Sequence, residues 1–304
     1  MKKKVLLANG DSWTFGSEIM APEFLAEPGS IGEGMGNRFK PNRFCWEKYN
    51  DYYRIPRIWP TYLGSELGIQ DTVNLSYPAR SNDTIYETTI HWLMKNYISV
   101  GKNTDDLLVV IGWSSPERKN IIITDSETDT DTIWCTLWPA MQETKYYTSP
   151  IVKKHFDFYV RHCCIEQEHL KRFVEQNYYL QLFCKTHKID CFLFNSFYAT
   201  MTGGIESWND ISIKDSIKAW DKLGDGWDDP LYKWNMIKDT LLMQWDSVDP
   251  LQYVNKDLTN GSFKSYIYDN VDEKIRLCGI HPSPESHESW AKFLANYIRS
   301  SQCN

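Results

Sequence analysis

The segment Lys4-Val5-Leu6-Leu7-Ala8-Asn9-Gly10-Asp11-Ser12-Trp13-Thr14-Phe15-Gly16 runs from an apolar stretch straight into a Gly-Asp-Ser tripeptide. A short apolar run bounded by turn residues is the pattern of a buried strand that ends in a tight turn. The run is too short for the apolar region of a signal peptide, despite the lysines before it. Three later stretches repeat the pattern: Thr72 to Ser76, Leu107 to Gly112 and Cys191 to Phe197.

Helical periodicity fills the spaces between these runs. Ser81 to Ser99 places Ile85, Thr88, Trp92 and Leu93 on one face, with Thr84 and Glu87 at the spacing of a capping box. His155 to His187 is a long, mostly helical stretch with one break. Near the end, Ser283 precedes Pro284 as N-cap, and Trp290, Phe293, Leu294, Tyr297 and Ile298 form an apolar stripe. Strands alternating with helices predict a three-layer α/β/α sandwich with a parallel central sheet. Segments at about 17–58, 117–150 and 200–277 do not fit that core and are expected as insertions in a single domain over residues 1–304. The second carries a β-hairpin, Ile121 to Thr124 with Thr132 to Cys135.

Composition narrows the classes further. The chain has 304 residues, 42% apolar and 24% charged, an ordinary globular balance. A net charge of −7 with no basic stretch argues against a nucleic-acid partner. No apolar run is long enough for a membrane helix, so the expectation is a soluble protein without a signal peptide. Eight scattered cysteines without C-x-x-C spacing predict free thiols and no zinc site. Aromatic residues reach 14%, and Trp13, Trp59, Trp113, Trp134, Trp138, Trp208 and Trp227 fall at strand ends or in the insertions, where they could meet a sugar or a partner surface.

Ligands of open parallel sheets bind beyond the carboxyl ends of the strands. Four polar segments are expected there. Ser12 follows the first strand. Asn74 to Asp83 follows the second and leads into a helix, a place to hold an oxyanion. Ser114 opens the loop after the third, and His281 lies in the Gly/Pro-bounded loop Cys278-Gly279-Ile280-His281-Pro282 before the last helix. Each also has an ordinary reading as a turn or cap. His287 shares the helical spacing of Trp290 and Leu294 and reads as structural.

In order, these segments resemble the SGNH (GDSL-like) hydrolase family, most of all phage- and bacterium-encoded members of undefined substrate. The resemblance spans Gly10 to Ala291 and implies an SGNH or flavodoxin-like sandwich. It implies Ser12 as nucleophile and His281 as general base. The oxyanion hole would then comprise the N–H of Ser12, the N–H at the position of Ala79, and the side chain at Ser114. Three departures from the family pattern follow: Ala79 stands for a glycine, Ser114 for an asparagine, and Cys278 for the triad aspartate. Asn82 could replace the oxyanion donor, and a backbone carbonyl or Asp272 could replace the acid.

Two functions are compatible with this pattern. One is a serine esterase that deacylates, for example deacetylates, a carbohydrate or other polar ester without a metal or organic cofactor. The other is a catalytically impaired binding or structural protein, for example a virion component with other virion proteins as partners. The corresponding locations are the cytoplasm or an assembled virion.

Overall fold

The computed structural model describes residues 3–21, 48, 50–124, 132–139, 150–163, 166–197, 213–218, 234–254, 256 and 261–302. Among these, the strands are β1 Val5–Asn9, β2 Asp71–Asn74, β3 Leu107–Trp113, β4 Lys119–Thr124, β5 Thr132–Leu137, β6 Asp190–Asn195, β7 Leu277–Cys278 and β8 His281–Pro282. The helices that build the layers are α1 Ser12–Phe15, α2 Trp59–Leu67, α3 Asn82–Leu93, α4 Pro150–Phe158, α5 Glu166–Thr186, α6 Trp234–Ser247, α7 Phe263–Asn270 and α8 Pro284–Ser301.

Four strands pair in parallel in the order β2-β1-β3-β6. Leu7 lies between Val73 and Val109, and Val109 pairs onward with Cys191. Side chains alternate across this sheet, as the pleat requires. Leu7, Val109, Ile111, Trp113, Cys191 and Leu193 face a core closed by α3, α5 and α6 through Ile85, Phe173, Val174 and Trp245. Leu6, Ala8, Leu108, Val110, Phe192 and Phe194 face the opposite core, closed by α2, α7 and α8 through Trp59, Leu63, Phe263, Trp290 and Leu294. The result is the expected α/β/α sandwich. The hairpin β4–β5 is antiparallel, as its sequence predicts.

Helix ends follow local chemistry. Ser283 caps α8, accepting the N–H of Ser286, and Pro284 occupies the first turn. Phe293 and Tyr297 flank its buried stripe and are only partly covered. The cap of α3 differs from the expected Thr84–Glu87 box. Ser81 is the N-cap and accepts the N–H of Thr84, and Thr89 rather than Thr88 is fully buried beside Ile85 and Leu93. The break in the long helical stretch is a π-helical turn at Tyr159–Cys163, between α4 and α5.

Two expectations about the periphery are corrected. The segment 200–277 is not peripheral throughout, because Leu241, Trp245, Tyr253, Phe263 and Ile267 sit in the two cores. Trp13, Trp59 and Trp113 are also buried, at 5%, 0% and 0% exposure, so they cannot offer a surface to a sugar. Trp138 is half-buried; Trp208 and Trp227 lie outside the described residues.

His287 is the polar tie between α8 and α2. Its Nδ1 accepts the backbone N–H of Trp59 at 3.1 Å, which places its proton on Nε2. Burial, then the nearby His281 and Arg54, pushes its pKa down to about 3. Burial and then Arg172 push His169 down to about 3 as well. Both are therefore neutral in the fold, while the unfolded chain takes up a proton below about pH 6.5. Stability is full above that pH and falls as pH drops toward about 3, by up to about 2 kcal/mol per histidine between pH 6.5 and 5. Urea midpoints at pH 7 and pH 5 should show this loss, and His287→Gln should make the difference smaller even though it lowers stability at pH 7.

Candidate active site

The site is built where the chain changes direction across the sheet. After β1 it moves to β2 on one side, then crosses to β3 on the other, so the β1 and β3 ends flank a topological switch point. Gly10 is required in the turn after β1. A Cβ there would lie 2.1 Å from Thr14 Oγ1 and 2.9 Å from the Gly112 carbonyl oxygen. The next residue, Asp11, caps α1 by accepting the N–H of Trp13 at 3.0 Å.

Asp11 is fully buried, and its other oxygen, Oδ2, joins the loops after β1 and β3. It accepts the Ser114 hydroxyl at 2.7 Å and Arg118 Nη1 at 3.1 Å. Arg118 also donates to Ser114 Oγ at 2.8 Å, and its guanidinium lies over the Trp138 ring, 4.1 Å from the centroid. This ion pair is shielded from water, with 0% and 3% side-chain exposure.

Ser12 is the first residue of α1, so its N–H has no intrahelical partner and stays available to an anion. Its side chain makes no hydrogen bond among the described residues, to His281 or to any other group. Ala79 has φ +62°, in the left-handed region. A negative φ would have made alanine an easy substitute for glycine; instead the position carries the strain, about 1–2 kcal/mol, that glycine would avoid. The oxyanion donors expected from side chains are engaged elsewhere. The Ser114 proton points to Asp11, and Asn82 holds the Ser114 backbone, accepting its N–H at 2.7 Å and donating to its carbonyl at 3.1 Å. Ser114 therefore cannot serve an oxyanion without releasing Asp11, whereas Asn82 keeps one of its two amide hydrogens.

His281 enters from the far end of the chain. It lies in β8, which packs against α1 and so brings the histidine strand beside the turn that carries Ser12. Cys278 faces it across the two-residue ladder β7–β8. Burial, then Glu285, pushes the Cys278 thiol up, which keeps it protonated and rules it out as an anionic partner. Asp272 is exposed and caps the turn at Glu273–Arg276 by accepting the N–H of Lys274, so it does not reach the imidazole. The carboxylate beside His281 is Glu18, with Oε2 3.2 Å from Nδ1, an ion-pair contact rather than an aligned hydrogen bond. That oxygen also accepts the backbone N–H groups of Ile280 at 2.7 Å and His281 at 3.2 Å.

Comparison with known proteins adds a family. A family model matches residues 42–206, just over half of the 304-residue chain. The chain belongs to DUF6071, a family of unknown function. The matched span of this DUF6071 protein contains Ala79, Asn82, Ser114 and Arg118, and excludes Ser12, Glu18, Cys278 and His281. No curated protein matches it. Similar solved structures include a G-D-S-L family protein from Desulfitobacterium hafniense DCB-2, assigned as lipolytic. It has 15% identity and a TM-score of 0.37, with 97% of this chain and 99% of that chain covered. A protein from Bacteroides fragilis NCTC 9343, assigned as an acylhydrolase, has 13% identity and a TM-score of 0.37, with 98% and 88% covered. The fold assignment of the DUF6071 chain rests on the strand order and register given above.

Sequence reasoning missed Arg118 and Glu18. A buried aspartate in a turn needs a cation, and Arg118, four residues past Ser114, was the available signal. Glu18 carried no comparable signal, because it lies in a segment read as an insertion. The buried pair yields a stability test. Arg118→Met should cost about 3–5 kcal/mol by leaving the Asp11 charge uncompensated, and Asp11→Asn with Arg118→Met should recover much of that loss in urea unfolding.

Proposed function

We propose that this protein is a serine-dependent carboxylic-ester hydrolase acting through Ser12 and His281. The observation that carries the reading is the packing of α1 against β8, which sets the nucleophile's turn beside the histidine strand at the switch point of the sheet. Ser12 Oγ attacks the ester carbonyl while His281 Nε2 accepts its proton. The developing oxyanion is received by the N–H of Ser12 at the start of α1 and by that of Ala79, with the spare Asn82 hydrogen as a third donor. His281 then protonates the departing alcohol, and a water activated by the same imidazole releases the acyl group and restores Ser12.

The substrate class is a small, polar acyl ester. The burial of Trp13, Trp59 and Trp113 removes the stacking argument for a sugar at those rings. The carbohydrate ester is retained within the polar class as one acceptor among others. The binding-protein reading is favoured by one observation, the Ser114 hydroxyl locked onto Asp11, which takes a donor out of the oxyanion hole.

Hydrolysis of p-nitrophenyl acetate separates the two. Turnover by the wild type should fall at least a hundredfold in Ser12→Ala, and a fluorophosphonate should label Ser12 in the wild type alone. Equal rates in the two proteins, with no labelling, would favour the binding reading.

A further inference from the structure

Glu18 occupies an unusual position for a side chain in a loop. Its backbone has φ +72°, a conformation that costs a non-glycine residue about 1–2 kcal/mol. Its side chain is nonetheless only 7% exposed. The loop thus holds a carboxylate inward at a conformational cost, an arrangement that clusters at functional sites. The turn is prepared by Gly16, at φ +77°, which ends α1. Asn50 anchors the continuation, accepting the N–H of Ala21 at 2.9 Å and donating to the Ile19 carbonyl at 2.6 Å.

What the buried carboxylate meets is the loop that carries His281. One oxygen receives two consecutive backbone N–H groups and lies at ion-pair distance from the imidazole Nδ1. The two N–H bonds fix the oxygen relative to the backbone of His281, and so fix it relative to the ring. A proton on Nδ1 is favoured by that negative oxygen, which leaves Nε2 as the acceptor. Cys278, across the ladder, supplies no charge.

We propose that Glu18 is the positioning residue of His281. It sets the ring's tautomer and stabilises the imidazolium formed when Ser12 loses its proton, so the nucleophile and the acid come from one loop, six positions apart. The catalytic part of this proposal rests on the esterase reading above; the Glu18–His281 pairing does not. No proton passes to Glu18: it travels from Ser12 Oγ to His281 Nε2 and on to the leaving alcohol. His287 is within electrostatic reach of both His281 and Arg54, and Glu285 acts on Cys278 across the ladder from His281.

The test compares Glu18→Gln, Glu18→Asp and Cys278→Ala in the full chain, with thermal midpoints confirming that each variant folds. With p-nitrophenyl acetate, Glu18→Gln should lower kcat by about 10²–10⁴-fold at near-constant KM, the scale of disabling the acid of a serine-protease triad. The acid limb of its kcat/KM–pH profile should move to lower pH. Glu18→Asp, which keeps the charge, should regain at least tenfold over Glu18→Gln, and Cys278→Ala should match the wild type. Independently of activity, NMR of the labelled histidines should show His281 titrating at lower pH in Glu18→Gln than in the wild type. If Ser12→Ala is inactive while Glu18→Gln keeps wild-type kcat and pH profile, the proposal fails and the esterase reading stands. If the wild type itself has no Ser12-dependent turnover, the esterase reading fails, and the catalytic role of Glu18 fails with it. The NMR titration then decides the pairing alone: a downward shift supports it, and an unchanged one overturns it.

Discussion

A single buried carboxylate governs the geometry at the carboxyl edge of the sheet. Asp11 has no access to water, so each of its lone-pair directions must find a donor or impose a penalty of several kcal/mol. It finds the Trp13 N–H within its own turn, and Ser114 and Arg118 from the loop after β3. The first starts α1 and so places Ser12 at a helix N-terminus; the others bind the β1 loop to the β3 loop. Asn82 extends the connection to α3 by holding the backbone of Ser114 on both sides. The same demand holds the Ser114 hydroxyl on Asp11, where it completes the coordination of a buried charge.

Opposite this fixed edge a second carboxylate, Glu18, lies against the loop of His281. Glu18 and Asp11 do different work although they lie seven positions apart. Asp11 faces inward to a guanidinium and is structural. Glu18 faces the loop of His281 and joins the two ends of the chain. The alternatives visible in sequence, Asp272 and Cys278, fail for opposite reasons: one carboxylate is exposed and engaged as a cap, and the thiol is buried without charge.

The layers were legible in sequence because burial on both faces leaves an unmistakable mark. Leu6-Leu7-Ala8 and Leu107 to Ile111 are apolar at every position, as a strand covered on both sides requires, and their shortness and flanking turn residues set them apart from buried helix. The helix caps were legible where the cap is followed by proline, as at Ser283, and misplaced where Ser81 and Thr84 competed for the same role. Less visible were Leu241, Trp245, Phe263 and Ile267. Their helices stand among polar and glycine-rich neighbours, and no strand beside them announces a core. The tryptophans read as surface residues misled for a related reason: strand ends are usually rims, but Trp113 packs against Phe173, and Trp59, at the start of α2, packs against Phe194. For the candidate site, Ser12 and His281 were read from their turn contexts, and the elements that carry them, α1 and β8, are in contact. The partner of His281 could not be read in this way, because what selects Glu18 is the left-handed turn after Gly16, a property of backbone conformation rather than of composition.

The convergence of α1 with β8 also orders events in time. During synthesis the turn bearing Ser12 and Glu18 is made before β2 and β3, so β1 has neighbours to pair with only after those strands have followed. His281 follows Ser12 by 269 residues, so it is made after every strand of the central sheet. A nascent chain that has emerged only as far as β6 therefore carries the strained loop and the Glu18 carboxylate without the imidazole. The contact of α1 with β8, and with it the pairing of Glu18 with His281, forms only after the last strand of the central sheet has been made.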